Sequence, residues 1–494
     1  METIQTQQEY SIDFLQEEFK LLKQLIKQSK QGTSKVINFK TPQDLENHID
    51  LNIPQQPTSD QQILDFLQKV GDLSVKTSSV HFYNNLFGGI NEYSLSADYL
   101  TSTLNGTIGN METSSLYRKM ENILFKTIAQ KYLKWESFSG IFSSGGSQAN
   151  FYGIELAKYW KFPEKKYTCI QNLPEIRIFT SELGHYSLEK GSILMGFGQD
   201  AIIKVQSDKQ GRIIPEELEK EIQNCIKQNY TPLILNLTCG TTVYGVIDKI
   251  NECVQIGKKY NMWIHIDGCW GGHMLFLDEI FQKNSLVSTC DSFAWDAHKL
   301  LNVPQQCSML ITQHTDILEQ TNGVEQGFFD TEDGEYKENN LDQVDQMNQY
   351  SKHVDVLKIW VYWMHYGSNG IEKLIRDAID TAQYFSSLVK QHKNFELILE
   401  PEYVSVSFFY FPDSFLKRKE KEYDNENFWN ELHKIPPIIK GKMVEEGCMM
   451  VAYQKQDQKQ YKKKNFFRII FTVDKGKEDA KYAFQQIHRL GQNL

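Results

Sequence analysis

The sequence predicts an α/β protein in which a mostly parallel β-sheet forms a large domain and a smaller α+β domain follows. Beyond about residue 110, short apolar segments alternate with segments of helical periodicity, which is typical of a parallel sheet covered by helices. A long helical segment that begins near SKHVDVLKIWVYWMHYG then precedes a second set of β-rich segments. The 494 residues suffice for a large core and for more than one domain.

The N-terminal segment has the pattern of an amphipathic helix outside this sheet. Between Ser11 and about Ser29, apolar side chains recur at helical spacing, and a polar linker containing NIPQQPTSD follows. These apolar residues are Phe14, Leu15, Phe19, Leu22, Leu25 and Ile26. We predict a helical arm and linker over residues 1–77, and this arm either packs on its own subunit or contacts a partner.

Six apolar segments are predicted to be strands of the large domain, over residues 78–360: IRIFT, AIIKV, LILNL, MWIHID, SFAWD and SMLIT. Ligands of parallel sheets bind at the carboxyl ends of the strands, so polar side chains at those ends are candidate functional residues. His185 follows IRIFT, and Lys299 follows SFAWD. His265 and Asp267 lie at the end of MWIHID.

The last part of the chain predicts the smaller α+β domain, over residues 361–494. It contains the β-rich segments FELILEPEYVSVSFFYF and FFRIIFTV and a final amphipathic helix, KEDAKYAFQQIHRL. The order of elements therefore differs from the strand and helix alternation of the large domain.

Composition excludes several classes of protein. The net charge of -10 and the isoelectric point near 5.7 make nucleic acid and anionic membranes unexpected partners. No apolar run approaches the ~18 residues of a membrane span, and METIQTQQEY has no features of an export signal. Eight cysteines without a C-x-x-C pair predict reduced thiols and a cytoplasmic protein.

Lys299 directly follows an apolar strand and is therefore expected to lie near buried surface. Burial disfavours the ammonium, so we expect a lowered pKa and a fraction of nucleophilic amine. Such a lysine can hold pyridoxal 5'-phosphate (PLP) as an aldimine, and Asp267 supplies the acid that PLP needs beside its ring nitrogen. The alternative is a metal pair of His265 and Asp267 with a further histidine. That histidine would be His273 or His298, but no carboxylate-rich partner set accompanies it.

The segment IFSSGGSQANFYGIELAKYW predicts a phosphate site. Its Ser/Gly turn precedes a helix that begins near Ser147, where free N–H groups and the helix dipole favour an anion. His185 is predicted to stack on the cofactor ring and to help in proton transfer, although a packed or capping histidine would show the same pattern.

From about residue 78 onward, the chain resembles group II PLP-dependent decarboxylases of the glutamate decarboxylase and cysteine sulfinate decarboxylase type. The shared motifs, in order, are FYNNLFGG, GIFSSGGSQANFYG, HYSLEKG, GTTVYGVID, WIHIDGCWGG, WDAHKLL, FELILEPEYV, KMVEEGCMM and NFFRIIF. The resemblance implies the aspartate-aminotransferase-like fold (type I) with a seven-stranded sheet. It also implies a homodimer with active sites at the subunit interface, and loss of the α-carboxylate of an acidic amino acid as CO2 to give the amine.

The resemblance further implies the roles of individual residues. Lys299 is the aldimine lysine, Asp267 lies at the ring nitrogen and His185 stacks on the ring. Cys269 occupies the position where a small residue packs under the ring. The remaining implied cofactor-binding residues are Gly146, Ser147, Thr241 and His298.

Three positions bear on the substrate. Arg468 in NFFRIIF matches the arginine that binds the side-chain acid in the family, a role that suits a bidentate guanidinium. Asn85 replaces a family glutamine, and Phe87 is a position that is small in glutamate enzymes. A bulkier floor favours a shorter substrate, so cysteine sulfinate or aspartate is expected ahead of glutamate.

The sequence also departs from the family pattern. Aligning ILEQTNGVEQGFFD places Phe328 where the family has a catalytic tyrosine, so that the alternative outcome is decarboxylation with oxidative deamination to an aldehyde. If the loop alignment is shifted, Tyr336 can reach the site instead. Asp296 replaces an Asn that is common in the family, Gly268 replaces an Ala, and Lys352 replaces an Arg. A poorly active PLP-binding scaffold would also show such changes.

Overall fold

Two β-sheets organise the chain, and most helices pack against one or the other. The computed structural model describes residues 12–109, 111–168, 170, 173–324, 346–349, 351–455 and 464–494. The strands are β1 (Phe82–Tyr83), β2 (Ser139–Ser143), β3 (Ile176–Ser181), β4 (Ile202–Val205), β5 (Thr231–Thr238), β6 (Trp263–Asp267), β7 (Ser292–Asp296), β8 (Ser308–Thr312), β9 (Phe395–Leu397), β10 (Ser405–Tyr410), β11 (Met450–Lys455) and β12 (Asn465–Ile470).

The helices connect these strands and cover the faces of both sheets. The α-helices are α1 (Ile12–Gln31), α2 (Pro42–His48), α3 (Asp60–Leu73), α4 (Glu92–Leu104), α5 (Met111–Thr127), α6 (Gly146–Lys161), α7 (Ser187–Leu194), α8 (Pro215–Lys227), α9 (Ile250–Lys259), α10 (Asp278–Lys283), α11 (Ile317–Asn322), α12 (Val356–Gln391), α13 (Asp413–Glu422), α14 (Glu426–Leu432), α15 (Ile435–Glu446) and α16 (Lys477–Gly491). A π-helical turn over Ile128–Leu133 continues α5.

The large sheet contains seven strands in the order β2-β8-β7-β6-β5-β3-β4. Strands β3 to β7 run parallel, whereas β8 is antiparallel to both β2 and β7. Helices cover both faces, which explains why these strands are continuously apolar instead of alternating. All six predicted segments form strands, and the prediction of a mostly parallel, seven-stranded sheet is confirmed. The antiparallel direction of β8 was not predicted.

The small sheet contains five strands in the order β1-β11-β12-β10-β9. Its edge strand β1 is parallel to β11, with Phe82 opposite Met450, so a segment from the first fifth of the chain joins the C-terminal strands. The boundary predicted at residue 360 falls within α12, which continues to Gln391. The division of the chain into 1–77, 78–360 and 361–494 stays a prediction.

The long helix α12 connects the cores of the two sheets. Its N-terminal part packs in the core of the large sheet through Ile359 and Tyr362. Its C-terminal part contributes Phe385, whose ring lies 5.5 Å from that of Phe408 and 5.4 Å from that of Phe471, measured between centroids. Burial of these rings holds the small sheet against the rest of the chain.

The predicted amphipathic arm is present as α1. Its residues Leu15 and Phe19 remain 52% and 50% exposed, and the ring of Phe19 contacts Tyr99 of α4 at 5.8 Å. Within the described ranges, we find no helix with the length and apolar character needed to cross a membrane.

The described cysteines are free thiols, as predicted. Cys225, Cys239, Cys253, Cys269, Cys290 and Cys307 are buried, and Cys448 is half-buried. Burial raises the pKa of Cys225 to about 11, so this side chain behaves as a small apolar group at neutral pH.

We expect Phe385→Ala to lower the free energy of unfolding by about 3–5 kcal/mol, because loss of the buried ring leaves a cavity beside the small sheet. Urea unfolding followed by far-UV circular dichroism measures this change. Met364, which is 73% exposed on the same helix, provides the control: Met364→Ala should change the free energy by less than about 0.5 kcal/mol. Equal midpoints for the two variants would contradict the packing described above.

Candidate active site

Two acidic side chains end neighbouring parallel strands of the large sheet. Asp267 is the last residue of β6 and Asp296 the last residue of β7, and the pairing aligns Asp267 with Ala294. Lys299 lies in the turn after β7, with its Nζ 2.9 Å from Oδ2 of Asp296. The carboxyl edge of the sheet therefore brings Asp267 and Lys299 together, as the strand-end pattern predicted, and it adds the carboxylate of Asp296.

Asp267 is held in a buried, ionised state. The carboxylate is 5% exposed, accepts a hydrogen bond from Asn150 Nδ2 at 2.9 Å and another from the Cys269 amide at 3.1 Å. Burial would raise its pKa, but the neighbouring His185 and Lys299, together with the two hydrogen bonds, hold the pKa of Asp267 below its usual value. A carboxylate of this kind can keep a pyridine nitrogen protonated.

Asn150 is a site residue that the sequence analysis missed. Its Nδ2 also donates to Ser187 Oγ at 2.9 Å, and its Oδ1 lies 2.9 Å from Nε2 of His265. The other ring nitrogen of His265 lies 2.8 Å from Ser292 Oγ. Asn150 therefore fixes the orientation of Asp267 from α6. Its position one turn after Ser147, in a helix with few other buried polar residues, was the signal available in the sequence.

His265 has a structural role in this network. Burial lowers the pKa of His265 to about 4, so the ring is neutral with both nitrogens in hydrogen bonds. Within the part of the chain that the structure describes, no group of three or more His, Cys, Asp or Glu side chains is arranged to hold a metal ion.

His185 lies at the same edge of the sheet, after β3. Its Nδ1 is 2.8 Å from Ser187 Oγ, so it connects through Ser187 to Asn150 and Asp267. Burial lowers the pKa of His185, with Asp267 opposing this shift only in part. The imidazole is therefore largely neutral at pH 7 and half-buried, and its ring can pack against a flat ligand.

The prediction of a lowered pKa for Lys299 is wrong. Burial does disfavour the ammonium, but the charge of Asp296, followed by smaller contributions from Cys269 and Asp267, raises the pKa of Lys299 above its usual value. Asp296 has this effect because it is 1% exposed and forms an ion pair with Lys299 at 2.9 Å. The free lysine is therefore an ammonium at neutral pH.

The start of α6 forms a narrow cradle beside these charges. A Cβ on Gly146 would lie 2.5 Å from Sγ of Cys269 and 2.7 Å from Oδ2 of Asp296, so only glycine fits. The backbone of Gly146 and Ser147 opens the helix, where N–H groups favour a phosphate. Together with Lys299 and Asp267, this cradle fits the phosphate, aldehyde and ring nitrogen of PLP.

Three further residues are predicted to bind the cofactor. Cys269 is buried two residues after Asp267, and burial raises the pKa of its thiol well above the usual range. His298 is 9% exposed and accepts a hydrogen bond from the Cys307 amide through Nδ1 at 3.2 Å. Thr241 is fully buried in the loop after β5, where its Oγ1 accepts from the Val246 amide at 3.3 Å.

Gly268 and Lys352, which depart from the family pattern, have different environments. A Cβ on Gly268 would lie 2.6 Å from Cζ of Phe293 and 2.8 Å from the carbonyl oxygen of Ala294, so the alanine of relatives has no space here. Lys352 is buried with its Nζ 3.7 Å from Oε1 of Glu121, and burial lowers its pKa. Lys352 therefore forms part of a buried ion cluster.

The predicted substrate residues form a second group, at the small sheet. Arg468 of β12 is 5% exposed and donates to the carbonyl oxygens of Thr242 and Asn84, each at 2.8 Å. Burial lowers the pKa of Arg468 to about 10. The Oδ1 of Asn85 accepts from Asn84 Nδ2 at 2.5 Å. Arg468 thus connects the segment after β1 to the loop that carries Thr241.

Two predicted residues are not brought to these groups by described contacts. The half-buried ring of Phe87 lies 6.4 Å from that of Phe82, on the segment that carries Asn85. Phe328 and the alternative Tyr336 lie outside the described residues.

A family model for the pyridoxal-dependent decarboxylase conserved domain matches residues 42–411. The chain belongs to this family. Acidic amino acid decarboxylase GADL1 of Xenopus tropicalis is 33% identical to this decarboxylase over 476 residues, covering 96% of this chain and 91% of the relative. Cysteine sulfinic acid decarboxylase of Homo sapiens is 33% identical over 468 residues, covering 94% and 93%.

Solved structures share the fold of this decarboxylase. The crystal structure of mouse CSAD has a TM-score of 0.92 at 30% identity and covers 98% of this chain and 99% of that chain. The structure of Oryza sativa TDC with PLP and tryptamine has a TM-score of 0.84 at 16% identity, covers 97% and 96%, and shows the fold alone. The predicted aspartate-aminotransferase-like fold is confirmed. The protein is a PLP-dependent amino-acid decarboxylase, a lyase with PLP as its cofactor.

We expect Asp296→Asn to accelerate capture of PLP at neutral pH. Removal of the carboxylate lowers the pKa of Lys299, and each unit of decrease gives about tenfold more neutral amine at pH 7. The rate at which the visible band of lysine-bound PLP appears, measured from pH 6 to pH 10, should have its rise shifted to lower pH.

Asp377→Asn is the matched control, because it removes one negative charge from the exposed side of α12 and should leave the profile unchanged. Superimposable profiles for Asp296→Asn and the unmodified protein would contradict control of Lys299 by Asp296.

Proposed function

We propose that this decarboxylase removes the α-carboxylate of a small acidic amino acid, with cysteine sulfinate or aspartate favoured over glutamate. The observation that carries this proposal is Arg468. Its guanidinium is almost fully buried, its Nε has no hydrogen-bond partner, and no described residue forms a salt bridge with it. A buried cation needs an anion, and the side-chain acid of the substrate can supply it through a bidentate contact. Relatives named as acidic amino acid and cysteine sulfinic acid decarboxylases support this assignment.

The proposal assigns the residues of the sheet edge to the cofactor. Lys299 holds PLP covalently, Asp267 keeps a proton on the ring nitrogen, and the neutral imidazole of His185 covers the ring. The chemistry that PLP supplies is an electron sink for the pair that remains when CO2 leaves. The buried state of Asp267, with its pKa below the usual value, supports this role over the whole neutral range.

The remaining cofactor assignments follow the same geometry. We propose that the start of α6 at Gly146 and Ser147 binds the phosphate, with His298 beside it, and that Cys269 packs under the ring. Thr241 completes the set from the loop after β5. The close approach that Gly146 allows, and the burial of Cys269 and Thr241, support these roles.

Substrate length depends on the segment after β1. We propose that Asn85 and Phe87 form the floor of the substrate site, because this segment is tied to Arg468 through Asn84. A phenylalanine there leaves less space than a small residue, so a short acidic side chain is favoured.

We also propose a homodimer in the cytoplasm, with active sites at the subunit interface. Leu15 and Phe19 of α1, with Leu100 and Leu104 of α4, are half-exposed apolar side chains that a second copy would bury. The free thiols of the described residues fit a reducing compartment, and the net charge of -10 argues against a nucleic-acid partner.

The product assay tests the reaction. We expect the PLP-loaded protein to release CO2 from cysteine sulfinate or aspartate with an equal amount of amine, faster than from glutamate, and without hydrogen peroxide. CO2, amine and peroxide are measured in one incubation, with Lys299→Ala as the inactive control that also lacks the visible band. Aldehyde with peroxide would assign the alternative oxidative outcome, and release of no CO2 from any of the three would contradict the proposed substrate class.

Arg468→Ala tests the substrate class separately from the cofactor. A hydrogen bond to a charged group contributes about 1.5–3 kcal/mol, so kcat/KM for the acidic substrate should fall by roughly 10- to 150-fold. The visible band of bound PLP should be retained. Arg489→Ala, at a 47% exposed arginine side chain on α16, is the control and should match the unmodified protein. An equal loss of kcat/KM for neutral amino acids would contradict a side-chain role for Arg468.

A further inference from the structure

A second cation, Lys440, lies beside Arg468, and no described residue forms an ion pair with it. Lys440 of α15 is half-buried, and its Nζ donates to Asn84 Oδ1 and, at 2.7 Å, to the carbonyl oxygen of Val451. Asn84 also accepts from Arg468, through its own carbonyl oxygen. Two positive side chains from different elements therefore converge on one asparagine, at the segment proposed to form the floor of the substrate site.

The neighbouring helices α14, α15 and α16 carry acidic side chains, but none of those in the described residues forms an ion pair with Lys440. Within the described residues, neither Lys440 nor Arg468 belongs to a salt bridge. Two acids on these helices are already paired with other residues. Glu431 forms an ion pair with Arg418, and Glu446 forms one with Arg489. Burial, followed by the like charge of Arg468, lowers the pKa of Lys440 to about 8.

Several other titratable groups on these elements have contacts of their own. Lys442 donates to the Leu490 carbonyl, Tyr482 to the Cys448 carbonyl and Tyr83 to the Asp479 carbonyl, and His433 accepts from the Asn465 amide. The remaining acids of α14, α15 and α16, which are Glu426, Glu445, Glu478 and Asp479, form no described ion pair with Lys440. Tyr453 of β11 is 38% exposed. Arg468 is therefore the charged group that acts on Lys440.

The pair is connected to the cofactor edge by the backbone. Arg468 donates to the carbonyl oxygen of Thr242, in the loop that follows β5. The same loop begins with Cys239, whose amide donates to the carbonyl oxygen of Asp267 at 2.8 Å. An anion bound by the pair is therefore held at a fixed distance from the edge where Lys299 lies.

We propose that Lys440 is a second specificity-determining cation, which acts with Arg468 to hold the side-chain anion of the substrate and orients Asn84 beside it. This inference rests on the proposed function, because it concerns the same acidic side chain. Two neighbouring cations in a buried place repel each other, and an anion bound between them reduces this repulsion and stabilises both positive charges. Amino acids with an acidic side chain are thereby favoured over those with a neutral side chain by two protein cations instead of one.

The proposed role of Lys440 predicts that the protein takes up protons when the anion binds. Because the pKa of Lys440 is about 8 in the free protein, an anion that raises it makes the protein take up protons on binding near pH 8. Lys440 is charged below that pKa and loses its charge as the pH rises through it. Affinity for the anion should therefore be full at pH 7 and fall by about tenfold at pH 9.

The experiment uses succinate as the probe, since it carries two carboxylates and undergoes no turnover. Calorimetric titration of the PLP-loaded protein at pH 8, in buffers of different ionisation enthalpy, measures proton uptake directly. We expect uptake in the unmodified protein, none with weaker binding in Lys440→Met, and retained affinity without uptake or pH dependence in Lys440→Arg. Lys442→Met, two residues along the same helix, is the matched control and should behave as the unmodified protein.

The outcomes separate this inference from the proposed function. Succinate that does not bind, or that binds Lys440→Met with unchanged affinity and uptake, overturns the role of Lys440 even if the same preparation releases CO2 from acidic amino acids. Uptake lost in Lys440→Met supports that role even if no CO2 is released. Circular dichroism and the visible band of bound PLP confirm that each variant is folded.

Discussion

The charge balance at the carboxyl edge of the large sheet is the constraint on which the site depends. The carboxylates of Asp267 and Asp296 are buried and the side chain of Lys299 is 19% exposed, so these charges stabilise one another. The parallel pairing of β6 and β7 creates this arrangement, since strands that run in one direction end at one edge. Asn150 orients the carboxylate of Asp267 directly, and His185 is connected to it through Ser187. The fold thus determines the electrostatics before any ligand arrives.

Arg468 and Lys440 form a second charged group, and no acid among the described residues pairs with either of them. Arg468 and Lys440 come from the small sheet and the helix that covers it, and both contact Asn84. In the proposed function, the edge of the large sheet holds the cofactor, and Arg468 with Lys440 binds the side-chain acid of the substrate. The loop after β5 contacts both groups and therefore fixes their relative positions.

Much of this arrangement was predictable from the sequence. Lys299, Asp267 and His185 were predicted because polar side chains follow apolar segments of strand length, at the edge of the sheet where ligands bind. Direction is not encoded in an apolar run, so the antiparallel β8 was missed. The raised pKa of Lys299 depends on the distance to Asp296, and the roles of Asn150 and Lys440 depend on tertiary contacts with residues more than a hundred positions away. The pattern of one helix contains no information about such distances.

The pairing of β1 with β11 has a consequence for synthesis of the chain. A ribosome that has released the first three hundred residues has already delivered the strands that hold Asp267 and Lys299, and the large sheet can begin to form. β1 must wait as an unpaired edge until Met450 emerges, and Arg468 follows later still. The nascent chain therefore delivers the residues proposed to hold the cofactor well before Arg468, so substrate selection by Arg468, as proposed, depends on translation of the last strand.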